Sequence, residues 1–367
     1  MTLRACVVGT SFGARIHVPA LRHAGFDVVA LVGVNPDKTA RRAERLGIDG
    51  AYVSLMAALE RGLDVVSIAG PPATHAPLAS EAIAAGCHVL CEKPFTLDVP
   101  EAEGLVRDGA AAGVTTVLGH EFRWSNAQAT IGWALETGLI GTPKILVSAS
   151  FISMLRSFPM PDWWFDPARG GGWLNASGSH RIDSLRQWFG EVAGVSAGLT
   201  SVSDPALDVD DAFTIRCAMR SGVDATLVQS GAAVGPAAGM TRLVGTRGTL
   251  WVEGDTVHIA EDPGEDGEGA PAGGFAAAHR VLDPPAELVL PNVDELATGP
   301  LADMTRMELP AYIRLAEAFR RAIEGEPPAP GPRPATFADG LACMRVLAAV
   351  RRSAADGGRW IEIAATT

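Results

Sequence analysis

The chain has 367 residues, 47% hydrophobic and 20% charged, a composition typical of a globular protein with more than one domain. Its formal net charge of −12 and its scattered basic residues argue against nucleic acid or an anionic membrane as a partner. Five cysteines form no Cys-x-x-Cys pair, no His/Cys/Asp cluster has metal-like spacing, and no apolar run is long enough to span a bilayer. We therefore expect a cytoplasmic protein with reduced thiols and no metal site.

The first 120 residues alternate short apolar runs with helical stretches. The runs predict strands at Leu3–Val8, Val28–Val32, Val65–Ala69, His88–Cys91 and Thr115–Leu118, and helices at Ala14–Arg22, Asp37–Leu46, Ser54–Arg61, Thr74–Ala85 and Val99–Ala112. Strands that are apolar on both faces and alternate with helices indicate a parallel, doubly wound sheet. We assign this α/β domain to residues 1–121.

The pattern changes after Gly119, where consecutive strands replace the alternation. We predict helices at Asn126–Thr137, Ser179–Phe189, Leu309–Glu324 and Phe337–Ala354, and strands at Lys144–Ser153, Ala212–Met219, Ala225–Gln229, Thr241–Gly245, Thr249–Val252 and Trp360–Ile363. Residues 122–367 are therefore expected to form an α+β domain on a mainly antiparallel sheet, with late helices that could pack back on the first domain. The acidic stretch Glu261–Gly274 is predicted to be a mobile surface loop.

A glycine turn connects the first predicted strand and helix, and its sequence is Gly9-Thr-Ser11-Phe12-Gly13-Ala14. Glycines at such a turn let a dinucleotide pyrophosphate approach the N–H groups of the helix N-terminus. Relative to the pattern G-x-G-x-x-G/A, Ser11 occupies the middle position and Ala14 the last, where it allows close helix packing. The strand–turn–helix setting favours a Rossmann cofactor site made by Gly9, Ser11, Phe12, Gly13 and Ala14, and the alternative is an ordinary βα turn.

The end of the second strand bears on the choice between NAD and NADP. An NAD enzyme would place a carboxylate there for the ribose hydroxyls, but the sequence is Gly33-Val-Asn35-Pro, and Asp37 lies beyond the proline. Asn35 and Lys38 are candidate cofactor contacts, and Lys38 could meet a 2′-phosphate. The alternative for Lys38 is a solvated helix face. The sequence favours NADP over NAD, and both stay open.

Several segments together resemble the Gfo/Idh/MocA family of oxidoreductases. They are the glycine turn with its continuation to His17, Cys91-Glu92-Lys93-Pro94-Phe95, Gly119-His-Glu-Phe-Arg123, and Gly170-Gly-Gly-Trp-Leu-Asn175-Ala176-Ser-Gly178-Ser-His180-Arg-Ile-Asp183. The resemblance implies a Rossmann domain followed by a domain with a large open sheet, and a homo-oligomer, dimer or tetramer, formed through that sheet. It also implies an NAD(P)-dependent enzyme that acts on a small-molecule sugar or cyclitol.

The resemblance also assigns candidate catalytic residues. Lys93 matches the family lysine that contacts substrate and nicotinamide ribose, and Pro94 is expected to follow a cis bond. From the residues alone, a lysine at the carboxyl end of a parallel strand lies where such sheets bind ligands. His180 matches the substrate-facing histidine, which could take or return the alcohol proton. Glu92 is a candidate for the cofactor site or for a structural hydrogen-bonding role.

One position departs from the family pattern, since Ala176 stands where many sugar-oxidising members have Asp. A methyl group cannot orient an imidazole, so Asn175 and Asp183 become the candidate polar partners; the alternative for Asp183 is a helix-surface carboxylate. Further candidates for the substrate cleft are the residues Arg123, Trp124 and Trp163, with core packing as the alternative for the tryptophans. The histidines His17 and His120 are interpreted as structural.

Two other functions remain open at this point. The same fold could reduce an imine, an enone or a diol, or it could bind a nucleotide as a regulator without turnover. The complete Glu-Lys-Pro motif and His180 favour an enzyme that transfers a hydride to or from a carbon bearing oxygen.

Overall fold

The computed structural model describes residues 2–262 and 278–365, and the bounds below refer to those residues. The strands, in chain order, are β1 (Arg4–Val8), β2 (Asp27–Val32), β3 (Gly50–Tyr52), β4 (Val65–Ile68), β5 (His88–Glu92), β6 (Thr116–Gly119), β7 (Pro143–Phe151), β8 (Val192–Thr200), β9 (Ala212–Met219), β10 (Asp224–Ser230), β11 (Ala238–Gly245), β12 (Gly248–Glu253), β13 (Thr256–Glu261), β14 (Arg280–Val281), β15 (Ala335–Thr336) and β16 (Ile361–Glu362).

The helices alternate with these strands in the first part of the chain and are sparse later. They are α1 (Val18–His23), α2 (Pro36–Arg45), α3 (Leu55–Leu59), α4 (His75–Ala84), α5 (Val99–Ala112), α6 (Asn126–Glu136), α7 (Met154–Ser157), α8 (Ser179–Phe189), α9 (Ala302–Ile323) and α10 (Phe337–Ala355). Five-residue π-helical turns, Gly13–His17 and Leu174–Gly178, lead directly into α1 and α8. Such π turns occur frequently at functional sites.

The chain divides into two units, each with a sheet of its own. Unit 1 contains Met1–Trp124, Ala168–Gly171 and Leu290–Met344. Its sheet has the order β15-β6-β5-β4-β1-β2-β3, and every neighbouring pair is parallel except β15 with β6. Strands β1 and β4 are buried along nearly their whole length, as expected of a parallel sheet covered on both faces.

Local sequence explains why the helices of unit 1 begin where they do. The side chains of Asn35, Ser54 and Asp98 accept hydrogen bonds from backbone N–H groups at the first turns of α2, α3 and α5. Such N-caps satisfy donors that a helix start would otherwise leave without partners. Helix α5 ends at Gly113, whose φ of +67° is the left-handed conformation common at helix ends.

Helix α9 corrects the sequence prediction, which placed its start at Leu309. It begins at Ala302 and contains Pro310 in its interior, where proline removes one backbone donor. Tertiary contacts hold this first part: Arg15 donates to the Thr305 hydroxyl at 3.0 Å and pairs with Glu308 at 3.1 Å. These partners are 290 or more positions away in sequence, so local periodicity could not show them.

Unit 2 contains Ser125–Pro167, Gly172–Val289 and Arg345–Thr367. Its sheet has the order β14-β13-β12-β11-β7-β10-β9-β8-β16 and is mainly antiparallel, with β7 and β10 as a parallel pair. The predicted fold class, a Rossmann domain and an α+β domain with a large, mainly antiparallel sheet, is confirmed. The short strands β3, β14 and β15, of two or three residues each, were not predicted, and β8 and β13 were covered only by the general expectation of consecutive strands.

The boundaries of the two units differ from the predicted single break after residue 121. The first break falls after Trp124, but residues 290–344 group with the parallel sheet, because β15 pairs with β6 and Leu309 and Tyr312 of α9 belong to the same hydrophobic core as β1 and α1. Of the predicted acidic loop Glu261–Gly274, Glu261 ends strand β13, and the part from residue 263 lies outside the described residues.

No helix in the described chain is long and apolar enough to cross a membrane.

Candidate active site

The turn after β1 takes its shape from Gly9. The φ angle of this residue is +131°, a conformation that residues with side chains rarely adopt. A Cβ atom here would lie 2.5 Å from the carbonyl oxygen of Ala69. The Gly9 N–H donates to the carbonyl of Val32 at 2.9 Å. Gly9 therefore lies where the carboxyl ends of β1, β2 and β4 meet, and a larger residue would not fit there.

Gly13 sets how closely the following helix approaches the sheet. A Cβ atom at Gly13 would lie 2.9 Å from Val7 Cγ1, so close packing against β1 requires glycine at this position. Ala14 is buried and Phe12 is half-buried, whereas Ser11 is exposed at the start of the helix. A glycine turn before a helix N-terminus presents N–H groups to an anion, so the residues here fit the pyrophosphate of a dinucleotide.

The end of β2 carries no carboxylate, as the sequence indicated. Asn35 caps α2 by accepting a hydrogen bond from the Lys38 N–H at 2.9 Å, and both residues are exposed. Asp37 lies in the first turn of α2. Gly33 has no room for a side chain, since a Cβ atom would overlap Thr10 of the glycine turn and lie 2.7 Å from the Thr39 hydroxyl oxygen.

Lys93 directly follows β5, at the carboxyl end of the parallel sheet, and is half-buried. The Lys93–Pro94 peptide bond is cis, as the resemblance implied. The backbone N–H of Lys93 donates a hydrogen bond to Oε2 of Glu92 at 3.2 Å. Ligands of doubly wound sheets bind at these carboxyl ends, so the position of Lys93 is one from which an ammonium group can reach a bound molecule.

Glu92 is buried and anchors a hydrogen-bond network that the sequence did not reveal. Its Oε1 accepts hydrogen bonds from the Tyr312 hydroxyl and from His17, whose Nε2 lies 3.3 Å away. The other ring nitrogen of His17, Nδ1, lies 2.7 Å from the Ser67 hydroxyl oxygen. His17 is fully buried, and Tyr312 lies in no motif, so the sequence did not point to it.

Two further carboxyl groups contribute to the electrostatics around Lys93. Burial, and then the charge of Glu92, raise the pKa of Glu121 well above its ordinary value, and Lys93 opposes this. Oε2 of Glu121 is buried without a hydrogen-bond partner among the described residues. Burial also raises the pKa of Glu308, against the charges of Arg15 and Lys93. Lys93 therefore has three acidic neighbours, of which Glu121 is the most strongly perturbed.

His75 contacts the backbone at Pro94, next to Lys93, and the sequence analysis did not identify it as a site residue. Its ring is fully buried, with Nδ1 2.9 Å from the carbonyl oxygen of Pro94 and Nε2 3.0 Å from that of Gly70. Burial lowers the pKa of His75, against the two carbonyls, which favour its charged form. The ring thus links the ends of β4 and β5, so it fixes where Lys93 and Pro94 lie relative to the sheet.

In unit 2, the glycine-rich segment before α8 packs around Asp210. The Asp210 carboxylate accepts a hydrogen bond from the Leu174 N–H at 2.6 Å, and its carbonyl accepts one from Trp173 at 2.8 Å. Gly172 has a φ of +102°, and a Cβ atom there would lie 2.7 Å from Asp210 Oδ1. Burial raises the pKa of Asp210. The glycine is therefore required for Asp210 to hold the π turn that follows.

The predicted residues of unit 2 lie on this π turn and on α8. Asn175, His180 and Asp183 are all at least 93% buried, so Asp183 is not the surface carboxylate that the alternative interpretation required. Asn175 is anchored through Oδ1 by Arg351 of α10, at 2.5 Å, a residue that the motif did not include. Ala176 is half-buried, and the neighbouring Ser177 donates to Gln229 of β10 at 2.6 Å.

The remaining candidates for the substrate cleft, Arg123, Trp124 and Trp163, differ in how deeply their side chains are buried. Trp124 is 7% exposed in the hydrophobic core of unit 1, which favours its packing role over stacking on a sugar. Arg123 donates to the carbonyl of Arg333 at 3.0 Å and braces the strand β15 region. Trp163 is half-buried, and its ring centroid lies 5.4 Å from that of Trp164. No cluster of His, Cys, Asp and Glu suited to a metal occurs among the described residues.

Comparison with known proteins decides the family. Residues 3–120 match the family model described as the oxidoreductase family with an NAD-binding Rossmann fold, and residues 129–251 match the GFO/IDH/MocA C-terminal domain. The chain belongs to the Gfo/Idh/MocA family. Both segments that carry the predicted chemistry, the glycine turn with Lys93 and the segment with His180, lie inside the matched ranges of this family.

Individual relatives of the Gfo/Idh/MocA family share about a third of their residues or fewer with this chain. An uncharacterized oxidoreductase of Synechocystis is 33% identical over 54% of this chain, and D-apiose dehydrogenase of Paraburkholderia graminis is 31% identical over 60%. The aligned regions span 54% and 58% of those relatives' own lengths. The fold is shared with levoglucosan dehydrogenase in complex with NADH and L-sorbose, at a TM-score of 0.81 and 22% identity, over 99% of this chain and 100% of that one.

Proposed function

We propose that this chain is a nicotinamide-dependent oxidoreductase that acts on a CH–OH group, or the corresponding carbonyl, of a sugar or cyclitol. The observation that carries the proposal is the juxtaposition in unit 1 of the Gly9 turn, which accepts no side chain, and Lys93 at the carboxyl end of the same parallel sheet. D-apiose dehydrogenase and levoglucosan dehydrogenase, among the relatives, support a sugar substrate by analogy of family.

The cofactor would be held by the turn and the end of β2. N–H groups after Gly9, with the exposed Ser11 hydroxyl, would bind the pyrophosphate, and Phe12, Gly13 and Ala14 would shape the turn. Asn35 uses its side-chain oxygen to cap α2, so its amide nitrogen is the group that it would offer to a ribose hydroxyl. A nicotinamide nucleotide held there would supply the acceptor or donor of the hydride for the substrate carbon.

The chain's own residues would handle the oxygen and its proton. We assign to the Lys93 ammonium a hydrogen bond to the reacting oxygen, which stabilises the negative charge that develops on it. We assign to His180 the proton: its imidazole takes the hydroxyl proton when the alcohol is oxidised and returns it when the carbonyl is reduced. Asn175 and Asp183 would orient the substrate or His180 in place of the aspartate that Ala176 replaces.

The choice between NADP(H) and NAD(H) forms a separate part of the proposal. The absence of a carboxylate at the end of β2 and the exposed Lys38 and Arg41 favour a 2′-phosphate. NADH is named in the levoglucosan dehydrogenase complexes, which points the other way for that relative. On the residues of this chain, we propose a modest preference for NADP(H).

We also propose a homo-oligomer formed through the sheet of unit 2. Neighbouring strands β7 and β11 present exposed apolar residues on one face: Ile145 is paired with Val244, and Phe151 and Met240 lie on the same side, at 38% to 52% exposure. Leu146 and Leu243, one position along, are buried on the opposite face. Exposed apolar surface of this kind commonly marks a protein interface. Light scattering of the purified protein tests this, and a monomeric mass would refute it.

The first experiment is a fluorescence titration with NADPH and NADH of the wild type, Gly9→Ala and Gly47→Ala. Gly47 is the control for alanine at a positive φ in the same unit, since its φ is +61° and its Cβ atom would meet nothing within 4 Å, whereas Gly9 at +131° adds further backbone strain and the contact with Ala69. We expect Gly9→Ala alone to lose binding. Failure of the wild type to bind either nucleotide would overturn the proposal.

A substrate screen then follows with the nucleotide that binds. Turnover of D-apiose, levoglucosan or a cyclitol would support the CH–OH assignment. Turnover confined to an imine, an enone or a diol would replace the substrate class, and nucleotide binding without turnover in any class would favour a regulatory role. Lys93→Met should reduce turnover and leave nucleotide binding measurable; unchanged turnover would remove Lys93 from the mechanism.

A further inference from the structure

The Glu92 carboxylate is engaged on both of its oxygens, one by two groups from distant parts of the chain and the other by the next residue. Oε1 receives the Tyr312 hydroxyl of α9 and lies 3.3 Å from His17 Nε2. Oε2 receives the backbone N–H of Lys93 at 3.2 Å. Hydrogen bonds to a carboxylate in a buried site are about twice as strong as neutral ones. The backbone at Lys93 is therefore held in place by a carboxylate that is itself held by Tyr312 and His17.

The opposite end of this network reaches the glycine turn. His17 is the last residue of the π turn Gly13–His17, and with Nε2–H directed to Glu92 its Nδ1 accepts the hydroxyl proton of Ser67 at 2.7 Å. Phe12 packs edge-on against the rings of both His17 and Tyr312, at centroid distances of 5.5 and 5.6 Å. The turn predicted to bind pyrophosphate and the loop that carries Lys93 are thus connected by direct contacts within unit 1.

The hydrogen bonds of these buried residues are made to one another, to Ser67 and to the backbone of Lys93. His17 is 0% exposed, Tyr312 1% and Glu92 7%, and the Glu92 carboxylate is engaged by His17, Tyr312 and the Lys93 amide. Gly119 on the neighbouring strand β6 provides the space, because a Cβ atom there would overlap Glu92 Oε1 and lie 2.8 Å from the Tyr312 hydroxyl. The hydrogen bond between Tyr312 and Glu92 therefore depends on a glycine that faces it.

We propose that Tyr312, Glu92 and His17 are positioning residues that fix Lys93 and connect its placement to the dinucleotide turn. In the proposed reaction, to which this inference adds, Lys93 must place its ammonium group against the reacting oxygen, and small displacements of such a group are costly. Loss of the Tyr312 hydroxyl leaves the ring packing intact but removes one of the donors that orient Glu92. Lys93 then moves, although it is not itself changed.

The lysine content of the chain makes this directly observable. Only three lysines occur, Lys38, Lys93 and Lys144, so protein labelled with [15N]lysine gives three backbone amide signals in a 1H–15N correlation spectrum. The Lys93 amide is the donor to Glu92 Oε2, and the Lys38 amide donates to Asn35 Oδ1. Lys38 and Lys144 therefore serve as internal controls in the nucleotide-free spectra, Lys144 alone serves in the spectra with nucleotide, and Lys93→Arg assigns the third signal.

The variants are Tyr312→Phe and Glu92→Gln, with Ser353→Ala as the matched control. Ser353 is a fully buried hydroxyl of unit 2 that bonds to the backbone of Ala197 and Arg359. Without any nucleotide, both network variants should shift the Lys93 amide signal and speed its hydrogen exchange, roughly tenfold for Glu92→Gln. Ser353→Ala should leave the signal in place. Coincidence of the Lys93 signal in wild type and both network variants would overturn the proposal.

Addition of NADH tests the connection to the turn. We expect NADH to shift the Lys93 signal of the wild type, and this response should be smaller in Tyr312→Phe at the same nucleotide saturation. An equal response in both would refute the connection while leaving the apo result to decide the positioning. Wild type that binds neither nucleotide would contradict the proposed function, and the nucleotide-free spectra would still judge the network.

Turnover provides the final readout that a purely structural role would not change. With a substrate found by the screen, Tyr312→Phe should lower kcat roughly tenfold with little change in nucleotide affinity. In the Lys93→Met background the same substitution should have no further effect on kcat, because it acts through Lys93. Additive losses would show that Tyr312 acts independently of Lys93 and would overturn the assignment.

Discussion

The two segments that carry the predicted chemistry begin alike and are held in place differently. Each consists of glycines, a five-residue π turn and a helix with a histidine at or just after the π turn, His17 before α1 and His180 in α8. In unit 1 two motif segments contact each other directly, through His17 and Glu92, and residues outside the motifs such as Tyr312 and Ser67 add to this contact. In unit 2 the partners of the motif residues include Asp210, Arg351 and Gln229, outside the motif.

This difference coincides with the departure at Ala176. The family pattern is complete around Lys93 and incomplete around His180, where Arg351 and Asn175 form a polar contact next to the replaced position. Under the proposed function, Lys93 of unit 1 would stabilise charge on the reacting oxygen, and the segment in unit 2 would supply the proton-transferring His180 and the polar groups next to Ala176. The predictions below test this contrast from the largest expected effect to the smallest.

Removal of the His180 imidazole should have the largest effect on turnover. His180→Gln retains side-chain volume but cannot take up the alcohol proton, so kcat should fall by roughly 10²–10⁴-fold. Steady-state kinetics with the identified substrate checks this, with NADH or NADPH titration as a test that unit 1 is unaffected. His279→Gln is the control, since His279 is an exposed histidine of the same unit. Equal kcat in the two variants would remove His180 from the mechanism.

Gly172→Ala should break the support of the unit 2 segment through Asp210. The residue has a φ of +102°, and the added Cβ atom would come within 2.7 Å of Asp210 Oδ1. We expect a loss of about 3 kcal/mol in the free energy of unfolding, from left-handed strain and a weakened charged hydrogen bond to Leu174. Urea denaturation of the variant measures this loss.

A second glycine separates the two causes. Gly222 also has a positive φ, +90°, but a Cβ atom there would meet nothing within 4 Å. Gly222→Ala should therefore cost only the backbone strain, about 1–2 kcal/mol. If both variants lose the same stability, the contact with Asp210 does not contribute to holding the segment.

In unit 1, Glu121→Gln should change how the free energy of unfolding depends on pH. Because burial raises the folded-state pKa of Glu121, folding is favoured by its protonated form, and that contribution is fully present below the unfolded value of about 4.3. It is lost as pH rises toward the folded pKa, by at most about 1.4 kcal/mol per pH unit. Glutamine stays neutral, so the variant should gain stability relative to wild type as pH rises.

Urea unfolding at a series of pH values from 4 to 8 measures this difference. Glu308, whose pKa burial also raises, remains in both proteins and contributes a slope of the same sign to each. The comparison therefore isolates Glu121. Parallel stability curves for wild type and Glu121→Gln would show that the buried carboxyl of Glu121 is not protonated more readily in the folded state.

The elements predicted from sequence are those whose pattern is local. Strands β1, β4 and β5 are buried on both faces, so each gives a continuous apolar run, and the glycine turn after β1 is visible because only glycine accepts the backbone there. The first turns of α9 were missed because polar residues and Pro310 obscure the helical period. Contacts of Thr305 and Glu308 with Arg15 stabilise those turns, and no local pattern reports them.

The same distinction separates the predicted from the unpredicted site residues. Lys93 and His180 lie in motifs, and their types carry chemistry on their own. Tyr312 and Arg351 acquire meaning only through partners that the fold brings to them from 176 or more positions away, Glu92 and Asn175. The close approach of Gly13 to Val7 likewise depends on the tertiary fold, which the motif pattern alone does not report.

The smallest effect is expected at the end of β2, where unit 1 would distinguish the two nucleotides. Lys38 is exposed, so its contact with a 2′-phosphate would contribute about 1 kcal/mol, or several-fold in affinity. Lys38→Ala should therefore weaken NADPH binding several-fold and leave NADH binding unchanged, as measured by fluorescence titration at fixed ionic strength. Arg45→Ala, an exposed substitution at the end of α2, controls for the loss of helix charge. Unchanged binding of both nucleotides would assign Lys38 to a solvated helix face, whereas equal losses would indicate a contact with a group that the two nucleotides share, and either result would remove the preference for NADP(H).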